Sequence, residues 1–207
     1  MQTNLFEEQG LEDDYQDHDL GNAWIREYPA AFNSAQASTF LESLQSLIPW
    51  QQTSIRIAGK LIAVPRLQCW MGDENAFYGY SGMRLQPQQW QADVLAIRQR
   101  VQELSGCEFN SVLLNYYRSG KDSVAWHSDN EIELGPDPLI ASVSFGAQRY
   151  LQFKPKGHTA KLNYRILLRH GSVLVMGKGL QINWLHQLPK VKDLNIPRIN
   201  LTFRNVQ

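Results

Sequence analysis

The spacing of apolar residues changes character twice along the chain. Residues 1–22 carry few large apolar groups and no period, so they are expected to form a mobile leader. The short stretch Trp24-Ile25-Arg26-Glu27-Tyr28 fits an opening strand. After Ser34 the positions Phe40, Leu44, Leu47 and Ile48 share one helical face, and Pro49 stops the pattern. Ser54–Ile57 and Leu61–Val64 flank Ala58-Gly59-Lys60 as a hairpin would, and a glycine- and aromatic-rich stretch from Phe77 to Gly82 follows. A second helix is expected from about Pro87. There Trp90, Val94, Ile97, Val101 and Leu104 recur at steps of 4, 3, 4 and 3 until Gly106 ends the run.

Beyond residue 107 the helical period disappears. Short strand-like segments follow at 111–117, 124–128, 139–145, 149–154, 164–169, 172–176, 181–187 and 198–205, separated by turn sequences. Eight short strands at even spacing describe a sandwich, barrel or jelly roll. With 207 residues, 43% of them apolar, the chain can bury one sizeable core, and length alone does not call for a second domain.

Charge changes this picture. The 20 basic and 20 acidic residues balance, but seven of the acids lie in the first 22 residues, which hold no Lys or Arg. The rest of the chain is therefore +7, and from Arg149 onward 11 basic residues face only Asp193. A basic body of this kind allows a polyanionic partner. Two cysteines without CxxC spacing, Cys69 and Cys107, exclude a disulfide scaffold and a thiolate zinc site. No apolar run approaches the ~18 residues of a membrane span, and the polar N-terminus is not a secretory signal. An intracellular, cytoplasmic protein is expected, or a nuclear one in a eukaryote, acting as a monomer away from membranes.

Candidate chemistry begins at Trp126-His127-Ser128-Asp129. Alternation along a strand puts His127 and Asp129 on one side, which makes half of a metal site. Such a pair is common without a metal. Among the later histidines, His158 lies in a basic turn and His170 precedes Gly171. His186 sits in the apolar segment Ile182–His186, where an unpaired imidazole is costly, and is the best third ligand. Two histidines and one carboxylate make the facial triad of non-haem Fe(II) oxygenases. The last strand places Arg198, Asn200, Thr202 and Arg204 on one face, with Ile199, Leu201 and Phe203 on the other. Two guanidiniums beside an iron site point to a bound carboxylate. Alone, this face would equally describe a solvent-facing polar edge.

Together these signatures resemble the AlkB family of Fe(II)- and 2-oxoglutarate-dependent dioxygenases. The likeness runs from about residue 54 to 205. It rests on Asn115-Tyr116-Tyr117, His127-Ser128-Asp129, the strand Ile140–Ala147, His186 with Pro189 behind it, and Arg198-x-Asn200-x-Thr202-x-Arg204. The fold it implies is α+β, mainly β: a double-stranded β-helix (jelly roll) at 107–207. Residues 23–106 would add substrate-recognition hairpins and helices packed outside, all in one domain.

The resemblance further implies that His127, Asp129 and His186 hold Fe(II). Asn115, Tyr117 and Arg198 would bind 2-oxoglutarate, with Asn200, Thr202 and Arg204 completing the pocket. With O2, the co-substrate would be decarboxylated to succinate and CO2, and an N-methyl group on a damaged DNA base would be oxidised and lost as formaldehyde. The damaged base would be flipped out, stacked by Tyr78 and Tyr80 against His127, and read on its edge by Asn130 and Glu131. Asn130 stands where many relatives carry an acid. Ile57 and Ala58 would occupy the hairpin that wedges into a duplex in some relatives; only Ile57 offers apolar bulk, so single-stranded DNA is expected to serve at least as well as duplex. The alternatives are the same chemistry on RNA or protein, or a catalytically silent nucleic-acid-binding module.

Overall fold

The computed structural model describes residues 14–57, 59–76, 78–80, 83–157 and 164–207; at residues 57, 78–80 and 83–85 the description extends to the backbone alone. The chain opens with β1 (Gln16–Asp19), β2 (Trp24–Tyr28) and α1 (Ser34–Leu47). Two hairpins follow, β3 (Ser54–Ile57) with β4 (Lys60–Ala63) and β6 (Tyr78–Tyr80) with β7 (Met83–Leu85), separated by β5 (Leu67–Gly72). After α2 (Ala92–Ser105) come β8 (Ser111–Tyr117), β9 (Val124–His127), β10 (Ile140–Gly146) and β11 (Arg149–Pro155). The chain closes with β12 (Tyr164–Leu168), β13 (Ser172–Met176), α3 (Leu180–Asn183), β14 (Trp184–Leu188) and β15 (Arg198–Arg204).

These strands form a seven-stranded sheet ordered β1-β2-β13-β10-β15-β8-β5 and a four-stranded sheet ordered β12-β11-β14-β9. Strands β8 to β15, four in each sheet, are the expected jelly roll, and every pairing within it is antiparallel.

Alternation along the strands gives the large sheet two different faces. Outward, Val112, Leu114, Val143, Phe145, Ile199, Leu201 and Phe203 pack under both helices, sharing a core with Leu44, Ile48, Val94, Ile97 and Val101. Inward, Ile140, Leu174 and Met176 meet Leu151, Phe153, Ile166 and Leu188 of the small sheet. The helices thus support the large sheet from behind, and the space between the sheets holds the site.

Several local expectations are corrected. Gln16–Asp19, placed in the mobile leader, form strand β1 against β2. A salt bridge from Arg26 to Asp17 (2.7 Å) and the buried His18, 3.2 Å from Glu27 and 2.5 Å from the Tyr164 hydroxyl, fix it there. Main-chain pairing and polar contacts hold this strand, and neither leaves a hydrophobic period; residues 1–13 lie outside the described residues.

The second helix begins at Ala92 rather than near Pro87. The Gln88 amide donates to the Trp70 carbonyl (2.9 Å), so the chain follows the edge of β5 before Gln91 caps the helix. Leu47, assigned to the buried face of α1, is 61% exposed, while Ala37 and Leu44 are fully buried. The strand expected at 181–187 is helical over Leu180–Asn183 and extended only from Trp184. An apolar run this short does not distinguish the two, and Gly179, at φ +84°, starts the turn.

Candidate metal and co-substrate site

Across the small sheet, His127 of β9 and His186 of β14 stand directly opposite in register, with a bulge just beyond. Bulges of this kind re-aim side chains next to active sites. The two rings lie 4.2 Å apart between centroids. Asp129 follows β9, and its amide donates to Gln181 Oε1 at 2.9 Å. One ligand atom from each of His127, Asp129 and His186 lies within 4.8 Å of the others, the one such cluster among the described residues.

Electrostatics prepares the three for a cation. Burial works to raise the Asp129 carboxyl, but the Arg204 guanidinium and the two imidazoles outweigh it and hold the group well below the usual carboxylate range. Arg204 Nη2 donates to Asp129 Oδ2 at 2.9 Å. Burial, with nearby positive charge, drives the His186 imidazole down to about 3, so it is neutral and has a lone pair to offer. Its Nδ1 is buried without a hydrogen-bond partner. His127 Nδ1 lies 2.9 Å from the Ala125 carbonyl, which fixes the tautomer and turns Nε2 toward Asp129 at 3.6 Å. A two-imidazole, one-carboxylate donor set with an orphaned buried nitrogen fits Fe(II) better than it fits a packed core.

Behind the triad lies a cavity of about 70 Å³ whose wall includes Asn115, Tyr117, Ser142, Arg198, Asn200, Thr202 and Arg204. All four polar residues of β15 face inward and are buried, so the solvent-edge alternative is excluded. Arg198 is 2% exposed, donates to Ser144 Oγ at 2.9 Å and lies over the Tyr117 ring at 5.2 Å. Its Nε has no protein partner, and burial lowers the guanidinium to about 10, still a cation at neutral pH.

Asn115 is more engaged than expected. Its Oδ1 accepts from Arg66 Nε (2.8 Å) and Gln68 Nε2 (2.9 Å), and its Nδ2 donates to Asn200 Oδ1 (3.2 Å). Thr202 Oγ1 donates to the same Asn200 oxygen at 3.0 Å, and Asn200 Nδ2 donates to Ser142 Oγ at 2.9 Å. Asn200 and Thr202 therefore brace the floor of the cavity.

An outer chamber of about 360 Å³ opens over His127 and Asp129 of the triad, walled by Ile55, Ile62, Val64, Arg66, Trp126 and Glu131 among others. Glu131 is part of this wall, while Asn130 is exposed and not part of it. Tyr78 and Tyr80 lie on β6, and Ile57 ends β3, with backbone alone described; Ala58, and with it His158, lies outside the described residues. The hairpin carries more apolar bulk than Ile57: Leu61, opposite Arg56, is 71% exposed.

His170 is structural, since its Nδ1 accepts from the Gly146 amide at 2.9 Å and its Nε2 faces Ser38. The sequence reading missed Arg66, Gln181 and Ser142. None of the three leaves a local pattern, since each acts through partners distant in the chain.

The model of the 2OG-Fe(II) oxygenase superfamily matches residues 25–204. The chain is 36% identical over 189 residues to mouse DNA oxidative demethylase ALKBH2, covering 87% of this chain and 79% of that protein. The chain belongs to the AlkB family of 2OG-Fe(II) oxygenases. Human alkB homolog 3, an alpha-ketoglutarate-dependent dioxygenase, is 39% identical over 188 residues, covering 86% of this chain and 65% of that relative. The chain thus spans just under two thirds of the homolog 3 proteins it matches. A solved structure described as "The structure of OsALKBH1" superposes with a TM-score of 0.62 over 93% of this chain and 100% of that one, at 15% identity, and bears out the fold. An AlkB-family enzyme is a dioxygenase using Fe(II), 2-oxoglutarate and O2, which matches the donor set and the buried arginine. Among the described residues no helix is long and apolar enough to cross a membrane.

Proposed function

We propose that the protein is a single-domain oxidative demethylase of N-alkylated bases in DNA, releasing succinate, CO2 and formaldehyde. One observation carries this: a facial triad stands between a small cavity backed by a buried cation and a larger outer chamber. The small cavity suits a dicarboxylate, and the outer chamber a flipped base. Relatives named DNA oxidative demethylase support the substrate class.

In this reading His127, Asp129 and His186 hold Fe(II), which with O2 and 2-oxoglutarate supplies the oxidising power. The protein binds, orients and excludes water. Arg198 grips the distal carboxylate of 2-oxoglutarate with paired N–H donors, assisted by the Tyr117 hydroxyl and a remaining Asn115 amide proton. Asn200 and Thr202 keep Asn115 in place, and Arg204 keeps Asp129 ionised and aimed. His127, at the boundary of the two chambers, forms one wall for the base, Tyr78 and Tyr80 the other, while Asn130 and Glu131 meet its polar edge. The hairpin of β3 and β4 would meet the DNA strand beside the flipped base.

A monomer acting on single strands at least as well as duplex is proposed, because Leu61 is a short side chain set back from the hairpin tip. Rates on 1-methyladenine or 3-methylcytosine in matched single- and double-stranded oligonucleotides test this. A strong duplex preference overturns it and makes Leu61 a wedge. His186→Ala should abolish turnover yet leave DNA binding largely intact; equal loss of both in a folded variant refutes the separation of iron site and DNA surface.

A further inference from the structure

The outer face of the small sheet has no role in the chemistry above, yet its side chains are patterned. Gln187 of β14, Tyr150 and Lys154 of β11 and Arg165 of β12 alternate with the inward residues of their strands and face away from the site, and Trp126 of β9 lies at the border of this face and the outer chamber. Lys154 Nζ lies over the Trp126 ring at 4.5 Å, and Arg165 Cζ lies over the Tyr150 ring at 4.6 Å. Tyr150 is 43% exposed. None of the residues in these four strands is Asp or Glu.

We infer that this face is a track for single-stranded nucleic acid leading away from the active-site mouth, an inference that rests on the demethylase reading for its direction. Aromatic rings beside cations, without acids, are what sequence-independent single-strand binding uses: rings stack bases, cations meet phosphates. The cation over each ring occupies the place a base would take. A stacking base displaces it sideways, toward the phosphate of the same nucleotide. Trp126 connects the two regions, because it borders this face and forms part of the wall of the outer chamber. From β9 to β12 the track crosses three strand spacings of about 4.8 Å, roughly 14 Å in all. At about 3.4 Å per stacked nucleotide that is on the order of four nucleotides beyond the flipped base.

The test uses the full chain with two variants outside the metal and co-substrate pocket, Tyr150→Ala and the double variant Lys154→Glu/Arg165→Glu. Demethylation is measured on a lesion trinucleotide, too short to reach the track, and on a 15-mer with a central lesion. Anisotropy of an unmodified single-stranded 15-mer, which needs no turnover, is measured against salt. Each variant is expected to raise KM for the 15-mer on the order of tenfold, leaving kcat and the trinucleotide KM unchanged. The double variant should also reduce the salt slope of 15-mer binding by about 1.4, at about 0.7 for each phosphate no longer neutralised. Unchanged 15-mer binding in both variants, or equal loss on trinucleotide and 15-mer, overturns the track. If no lesion is turned over but the variants still weaken 15-mer binding, the track stands and the demethylase reading fails.

Discussion

Replacing Arg198 by Met should have opposite effects on co-substrate affinity and on the stability of the empty protein. The guanidinium is 2% exposed, donates to Ser144 Oγ, and leaves its Nε without a protein partner. Burial depresses it to about 10, and an anion facing the guanidinium would offset part of that desolvation. Removing one member of a buried, hydrogen-bonded charge pair costs about 2–5 kcal/mol of binding. Taking 2–4 kcal/mol, 2-oxoglutarate affinity should fall roughly 30- to 1,000-fold. Without co-substrate the variant loses an uncompensated cation, a change that is commonly neutral or stabilising. Its Tm should hold or rise, at about 2–4 °C per kcal/mol for a chain of this size. Calorimetric titration of 2-oxoglutarate into Mn(II)-loaded protein, with thermal unfolding of the metal-free forms, measures both. Unchanged affinity together with a Tm drop of many degrees would falsify the carboxylate role and make Arg198 a structural residue.

The metal-free protein should also lose stability as pH falls below about 6.5. His186 has its folded pKa lowered to about 3, so in that window the unfolded chain binds one proton more and the loss is about 1.4 kcal/mol per pH unit. Urea midpoints across pH 4–7 should show this slope in the wild type and not in His186→Gln; identical slopes would contradict the buried neutral imidazole. Asn33→Ala removes a capping box, in which Asn33 and Gln36 each accept from the other's amide. It should cost about 1 kcal/mol by chemical denaturation with kcat unchanged, and a loss of turnover instead would place α1 in the site.

The jelly roll was legible because two signals agreed: strand alternation, and turns wherever the chain reverses. The ligand triad was legible for a related reason. His127 and Asp129 lie two residues apart, and His186 was the one later histidine in an apolar strand; register then set it opposite His127. What stayed hidden depends on long-range polar contacts. Arg66 reaches Asn115 across 49 positions, and Gln181 reaches the Asp129 amide across 52, neither leaving a local pattern. Strand β1 was hidden likewise, since His18 meets Tyr164 across 146 positions. Short apolar runs also misled, as at Leu180–Asn183, where burial is the same for a helical turn and a strand.

The most direct test of the demethylase reading is product stoichiometry. Fe(II) protein reconstituted without oxygen receives 2-oxoglutarate, then air, with single-stranded DNA that carries or lacks 1-methyladenine. Succinate and formaldehyde in equal amounts are expected, with formaldehyde appearing only when the lesion is present. Succinate without formaldehyde on any methylated DNA would move the substrate elsewhere, and neither product from folded, iron-loaded protein would contradict an active oxygenase site altogether.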